Sequence, residues 1–252
     1  MNFDMISLCK EKDSIYRALE SINGSVYIRE SIRLYLEAYG ADYDFSQFYL
    51  QYAVDKCSAV TAVVVRYNNQ IYALADDNAD TEELSAFLCG IEEADLIADE
   101  ILSSYFCNSK PCFCFCKNGE VPANMSTNIK ITDSAKSIAE LVTKTYNEQE
   151  KLDFFLNTSH QIRHNLIKAF GYYSEDKLAS VVSATNIQND LSVITFVFTD
   201  DHFRGNGIAS QLLSAVCSDV SKKYVLLCEE HNVKFYEKCG FDCISHCIKI
   251  RL

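Results

Sequence analysis

The stretch DDHFRGNGIASQLL, residues 200–213, sets Arg204, Gly205, Asn206, Gly207, Ile208 and Ala209 between two apolar runs. The run before it, LSVITFVFT, reads as a strand. The run after it carries Ile208, Leu212, Ala215 and Val216 on one helical face. Glycines at such a junction reach backbone angles closed to other residues and keep side chains out of a ligand's path. The first amides of a helix have no partner within it, so together with the helix dipole they attract an anion, and Arg204 adds a positive charge beside them. A phosphate or pyrophosphate is the ligand that suits such a backbone. The same turn can also be no more than a tight connection. It is not a dinucleotide fingerprint, because G-x-G-x-x-G is missing, and not a P-loop, because no G-K-S/T follows.

The elements that must position this turn are legible on both sides of it. NIKIT reads as a short strand, and DSAKSIAELVTKTYN and EQEKLDFFLNTSHQIRHNLIKAF as helices; AFGYYS, LASVVSATN and LSVITFVFT form a strand meander with turns at EDK and QND. KYVLLC is a buried strand, EHNVKFYEKC a short helix closed by Gly240, and CISHCIKIRL a final strand. A linker is expected around Pro111, Pro122 and NMSTN. Before it, SINGSVYIRESIRLYLEAYG and FSQFYLQYAVDKC read as helical, and AVTAVVVRYNNQIYALA as two strands about an Asn-Asn turn. TEELSAFLCGIEEADLIADEILSSYF reads as helical in parts, opened by a capping signal at Asp80 and Thr81 ahead of Glu83. No repeat stands out in the residues, although each half contains a strand-turn-strand followed by a helix.

Charge and cysteine usage narrow the class. The net charge is -12, with 20 acidic against 9 basic residues up to position 125 and 15 against 14 beyond it. An acidic body argues against nucleic acid and anionic membranes as partners and favours a cationic small molecule or plain solubility. The 12 cysteines are scattered, none forms C-x-x-C, and no export signal opens the chain, so they read as reduced thiols in a cytoplasm. Cys112, Cys114 and Cys116 alternate along a strand-like run, a poor geometry for zinc, and His160 and His164 lack a third ligand. No metal is expected.

Arg204-x-x-Gly207-x-Ala209 resembles the Q/R-x-x-G-x-G/A motif of the GNAT superfamily of N-acyltransferases, whose loop cradles the pyrophosphate of coenzyme A. Downstream, NVKFYEKCGF, residues 232–241, is similar to that family's N…YeklGF segment, and especially to glucosamine-6-phosphate N-acetyltransferases. The resemblance covers about residues 126–252. It implies a mixed, mostly antiparallel sheet flanked by helices, acetyl-CoA as cosubstrate and a small primary amine as acceptor. It further implies that the fourth strand splays from the fifth and pairs with pantetheine along Phe196, Val197, Phe198 and Thr199, where a bulge would free an amide for the thioester oxygen. Tyr236 stands where the family keeps a general acid for the departing thiolate, and Asn232 at a coenzyme position or a helix cap. A phenol is protonated at neutral pH and has a proton to give. No general base is assigned, since LSVITFVFT has no carboxylate. The chain is thus expected to be an α/β protein of two domains. Residues 1–122 are an additional α/β domain, a degenerate copy of the same fold or a wall of the acceptor cleft; residues 126–252 are the acetyltransferase. The alternatives are an acyl-CoA-binding module without turnover and an interaction protein whose first half recruits a partner.

Overall fold

The computed structural model describes residues 5–53, 59–122, 126–188 and 190–252. Residues 123–125 of the expected linker, residues 54–57 of FSQFYLQYAVDKC and Asn189 of the QND turn lie outside the described residues.

The first half runs β1 (Ile6–Cys9), α1 (Lys12–Ser21), α2 (Val26–Tyr39), β2 (Ser46–Tyr52), β3 (Val60–Tyr67), β4 (Gln70–Ala75), α3 (Thr81–Cys89), β5 (Asp95–Asp99), a 3-10 helix (Glu100–Tyr105) and β6 (Lys110–Asn118). Strands β1 to β4 pair antiparallel in sequence order, and β4 pairs parallel with β5. Asn68, with φ of 48°, makes the expected turn between β3 and β4. The segment FSQFYLQY is a strand rather than the helix expected from its sequence. Its aromatic residues recur every three or four positions, which mimics a helix, but Ser46, Phe48 and Leu50 are buried in alternation with half-buried Gln47 and Tyr49, the period of a pleated strand. Helix α3 starts as expected, with the Asp80 side chain accepting from the Glu83 amide at 2.9 Å. It packs Leu84 and Leu88 against Val64, Leu96, Leu102 and Ile248.

The second half repeats that order: β7 (Ile129–Thr132), α4 (Ala135–Val142), α5 (Glu148–Arg163), β8 (Ile167–Ser174), β9 (Lys177–Thr185), β10 (Leu191–Thr199), α6 (Ile208–Val216), β11 (Lys223–Glu229), α7 (Val233–Lys238) and β12 (Asp242–Arg251). The pairing repeats as well. Strands β7 to β10 are antiparallel neighbours, and β10 runs parallel to β11. Ile138, Leu141, Ala169, Leu178 and Val181 form a core with Phe154, Phe196 and Phe198 packed on it.

The chain divides into two compact units. One comprises residues 1–115 with 227–234 and 243–252; the other comprises 116–226 with 235–242. The last strand, read from the sequence as part of a domain spanning 126–252, groups with the first unit, where β12 pairs antiparallel with β5 from Cys247↔Asp99 to Arg251↔Asp95. Each unit is a mixed sheet flanked by helices. No helix among the described residues is long and apolar enough to cross a membrane.

The first unit is tied together at the ends of β4 and β5. Asp99 is buried, and its carboxylate accepts the Ser25 amide at 2.8 Å and the Ala75 amide at 2.9 Å. Burial pushes its pKa up to about 6, against the pull of the two amides and of Arg29. A carboxyl whose pKa is higher folded than unfolded favours the fold when protonated, so its contribution is lost as pH rises through about 6. Acidification from pH 7 to pH 5 should therefore gain about 1 kcal/mol from this group. Denaturant unfolding of the wild type and Asp99→Asn at both pH values checks it. The wild type should gain on its variant by that amount on acidification, and a constant difference would mean that Asp99 does not titrate there.

Candidate active site

The second unit keeps one strand edge open. β10 pairs with β11 only at Leu191↔Lys223, Ser192↔Tyr224 and Val193↔Val225. Beyond Val193 its ladder continues on the β9 side alone, as far as Thr199↔Ser180. The register against β9 shifts between Ile194 and Phe196, so Thr195 is a bulged residue. The bulge expected within 196–199 thus lies just before them, and Phe196 to Thr199 keep a regular ladder to β9. A bulge raises the local twist and turns the following backbone away from its former neighbour, which accounts for a parallel ladder that stops after three pairs. The far edge of Val197, Phe198 and Thr199 therefore carries backbone donors and acceptors with no strand partner among the described residues. On the β9 side, the Ser180 hydroxyl donates to the Phe198 carbonyl at 2.8 Å and meets the Thr199 hydroxyl at 2.7 Å, which stiffens the strand where it ends.

From Thr199 the chain enters the glycine turn. Gly205 and Gly207 have φ of 80° and 73°, the left-handed region that disfavours residues with a Cβ, and no atom of the described residues lies within 4 Å of where a Cβ would sit on either. Gly207 caps α6 without a side-chain hydrogen bond, so the amides of Ile208 and Ala209 head a helix whose start is left bare. The Asn206 side chain points back to the carbonyls of Phe203 and Arg204, at 3.2 and 3.3 Å. Arg204 donates its Nε to the Thr199 carbonyl at 3.2 Å, and its guanidinium pairs with Asp201 at 3.0 Å, both side chains largely exposed. The residues from Val197 to Ala209 thus form one surface that runs from an open strand edge to an uncapped helix start.

The other sequence-derived candidates lie on other elements. Tyr236 lies on α7, buried, with its ring edge-on to Phe235 at 5.0 Å and to Phe241 at 6.0 Å. Asn232 ends a single 3-10 turn grouped with the first unit, and its amide meets the His231 ring at 3.1 Å. His160 and His164 lie at the end of α5 with their rings tilted at 35° and centres 4.3 Å apart.

One contact at the turn was not legible in the sequence. Lys144, just beyond α4, is ion-paired with Asp200, which precedes the turn. No local pattern announces a partner 56 positions away.

The equivalent junction of the first unit is built differently. Its β4 pairs with β5 over four positions, Gln70↔Asp95 to Ala73↔Ala98, and Asp99 holds the Ala75 amide at the end of the ladder. The turn that follows, Asp76-Asp77-Asn78-Ala79-Asp80, has no glycine, and the Asp80 carboxylate occupies the start of α3. A turn with three carboxylates repels an anion.

A model of the acetyltransferase (GNAT) family matches residues 135–241. A search of curated proteins finds no match. Among solved structures, a Drosophila protein aligns with 98% of this chain and 98% of its own, at 12% identity and a TM-score of 0.66. A GCN5-related N-acetyltransferase from Sphaerobacter thermophilus aligns over 98% and 95%, at 11% identity and 0.58. A tandem GNAT protein from the clavulanic acid biosynthesis pathway aligns over 97% and 96%, at 8% identity and 0.58. Identities this low speak for the fold alone, and the family match covers the open strand edge, the glycine turn and Tyr236. Over residues 135–241 the chain is thus similar to acetyltransferases of the GNAT family.

Proposed function

We propose that the second half, residues 126–252, is an N-acetyltransferase that moves the acetyl group of acetyl-CoA to the primary amine of a small acceptor. The observation that carries this reading is the continuity of an unpaired β10 edge with a glycine turn and an uncapped helix start. Pantetheine suits the edge, which lets it pair with Val197 to Thr199 as an added strand would. The pyrophosphate suits the amides of Gly205 to Ala209, where no side chain obstructs it. Arg204 would exchange Asp201 for a phosphate. The first half, residues 1–122, is read as a copy of the same fold that has lost its coenzyme site, supported by the repeated order of elements and by the acidic turn at Asp76–Asp80. The reaction belongs in a reducing cytoplasm, in keeping with the free thiols.

The chemistry requires a nitrogen lone pair to attack the thioester carbonyl carbon. The resulting oxyanion is stabilised by a backbone amide on the open side of β10, near the Thr195 bulge. Collapse breaks the C–S bond, and the thiolate takes the phenolic proton of Tyr236, which solvent later restores. The amine loses its proton to water, because β10 carries no carboxylate to serve as a base. That same lack favours a second reading, an acyl-CoA-binding module without turnover. An amino sugar phosphate is the alternative acceptor, suggested by NVKFYEKCGF.

Thiol release from acetyl-CoA, measured against a panel of polyamines, amino acids, aminoglycosides and glucosamine 6-phosphate, tests the reading. Turnover with one amine should fall about 100-fold in kcat in Tyr236→Phe, with the KM for acetyl-CoA nearly unchanged. Equal rates would remove Tyr236 from the mechanism. Coenzyme binding without turnover across the panel would favour the binding module. A second variant, Gly207→Val, puts a branched side chain at a φ of 73° above the helix start. It should weaken coenzyme A binding at least about tenfold, as seen by calorimetry; unchanged affinity would mean that the turn is only a turn.

A further inference from the structure

The glycine turn opens with two adjacent carboxylates, Asp200 and Asp201. A pair of negative charges at the mouth of an anion site opposes binding unless each is neutralised. Asp201 is exposed and meets Arg204, a pair that solvent screens. Asp200 differs: it is buried, and its surroundings are built. One carboxylate oxygen accepts the His202 amide at 3.0 Å, and the other accepts the Lys144 ammonium. Its own amide donates to the Ala179 carbonyl of β9 at 2.9 Å, and its carbonyl accepts the Phe203 amide at 2.9 Å. Asp200 thus joins β9, the end of β10 and the first residues of the turn. The Lys144 hydrogen bond, followed by the His202 amide, holds its carboxyl below the usual range. Both residues line a cavity of about 460 Å3.

We propose that Lys144 is a positioning residue for the anion-binding turn. It cancels the charge of Asp200, so that a buried carboxylate can pin the turn without repelling the phosphate that the turn receives. This rests on the reading above that residues 204–209 take the pyrophosphate of coenzyme A. The role follows from charge as well as shape. Removing Lys144 alone leaves Asp200 uncompensated beside the anion. Removing both charges, as in Lys144→Met with Asp200→Asn, keeps an oxygen that can accept the His202 amide and takes away the repulsion. Arginine at position 144 retains the charge.

Coenzyme A titrated calorimetrically into the full-length chain and its variants tests this, with circular dichroism and thermal unfolding to verify that each is folded. Lys144→Met should raise Kd about tenfold, the size of a typical coupling between contacting charges. Lys144→Arg and the double variant should both return to within about threefold of wild type. A double variant as weak as Lys144→Met would mean that the pair holds shape only, and would overturn the charge-cancelling role. Wild-type affinity in Lys144→Met, with wild type itself binding, would overturn the proposal while sparing the coenzyme reading. If wild type does not bind coenzyme A, the coenzyme reading falls and this inference with it.

Discussion

The start of an α-helix carries amides that no residue within the helix can satisfy, and what the chain lays over them decides the character of each unit. At α3 the Asp80 carboxylate takes one of them, and the helix is stabilised from inside the protein by about 1 kcal/mol. At α6 Gly207 offers no side chain, and that stabilisation is forgone. The two helices follow the same strand of the same repeat, so the difference lies in a few residues of turn and not in architecture. One start is closed by a carboxylate, and the other is left bare.

The strand before each helix follows the same division. In the first unit the parallel ladder runs over four positions and is locked at its end by Asp99, whose two oxygens hold the amides of Ser25 and Ala75. In the second unit the ladder stops at Val193, the Thr195 bulge turns the backbone, and six residues of β10 extend beyond the last pair. An unpaired strand edge is a hazard in a soluble protein unless something covers it or a ligand uses it. Here it leads directly into the bare helix start, so the two unsatisfied features lie on one connected stretch of chain. Two independent departures from ordinary satisfaction of backbone groups, joined end to end, are what an extended ligand with an anionic head requires.

Much of the second half was legible from sequence because its signals are local. The periodicity of DSAKSIAELV, the turn residues Glu175 and Asp176, and glycines flanking Asn206 each act within a few residues of chain. The β2 strand was misread because Phe45, Phe48, Tyr49 and Tyr52 are spaced as on a helix, and only pairing with β3 decides the matter. The internal repeat was not visible because the halves share an order of elements and not a residue pattern; where glycines stand in one turn, carboxylates stand in the other. Lys144 and Asp99 were invisible for a related reason. Their partners are set by tertiary packing 56 and 74 positions away, and nothing in the flanking residues records them.

The placement of buried charge completes the argument. Asp99 and Asp200 occupy similar places, each near the end of a sheet strand and each accepting backbone amides, yet their surroundings drive their carboxyl groups in opposite directions. Asp99 has two amides and the charge of Arg29 acting on it but no ion pair among the described residues, and burial raises its pKa. Asp200 has an ammonium in contact, and its pKa falls. A carboxylate without an ion pair suits a unit whose turn, as proposed, takes no anion, because there its charge opposes nothing. Beside a turn that receives an anion, as proposed for residues 204–209, the same charge would oppose binding, and there Asp200 is paired with Lys144.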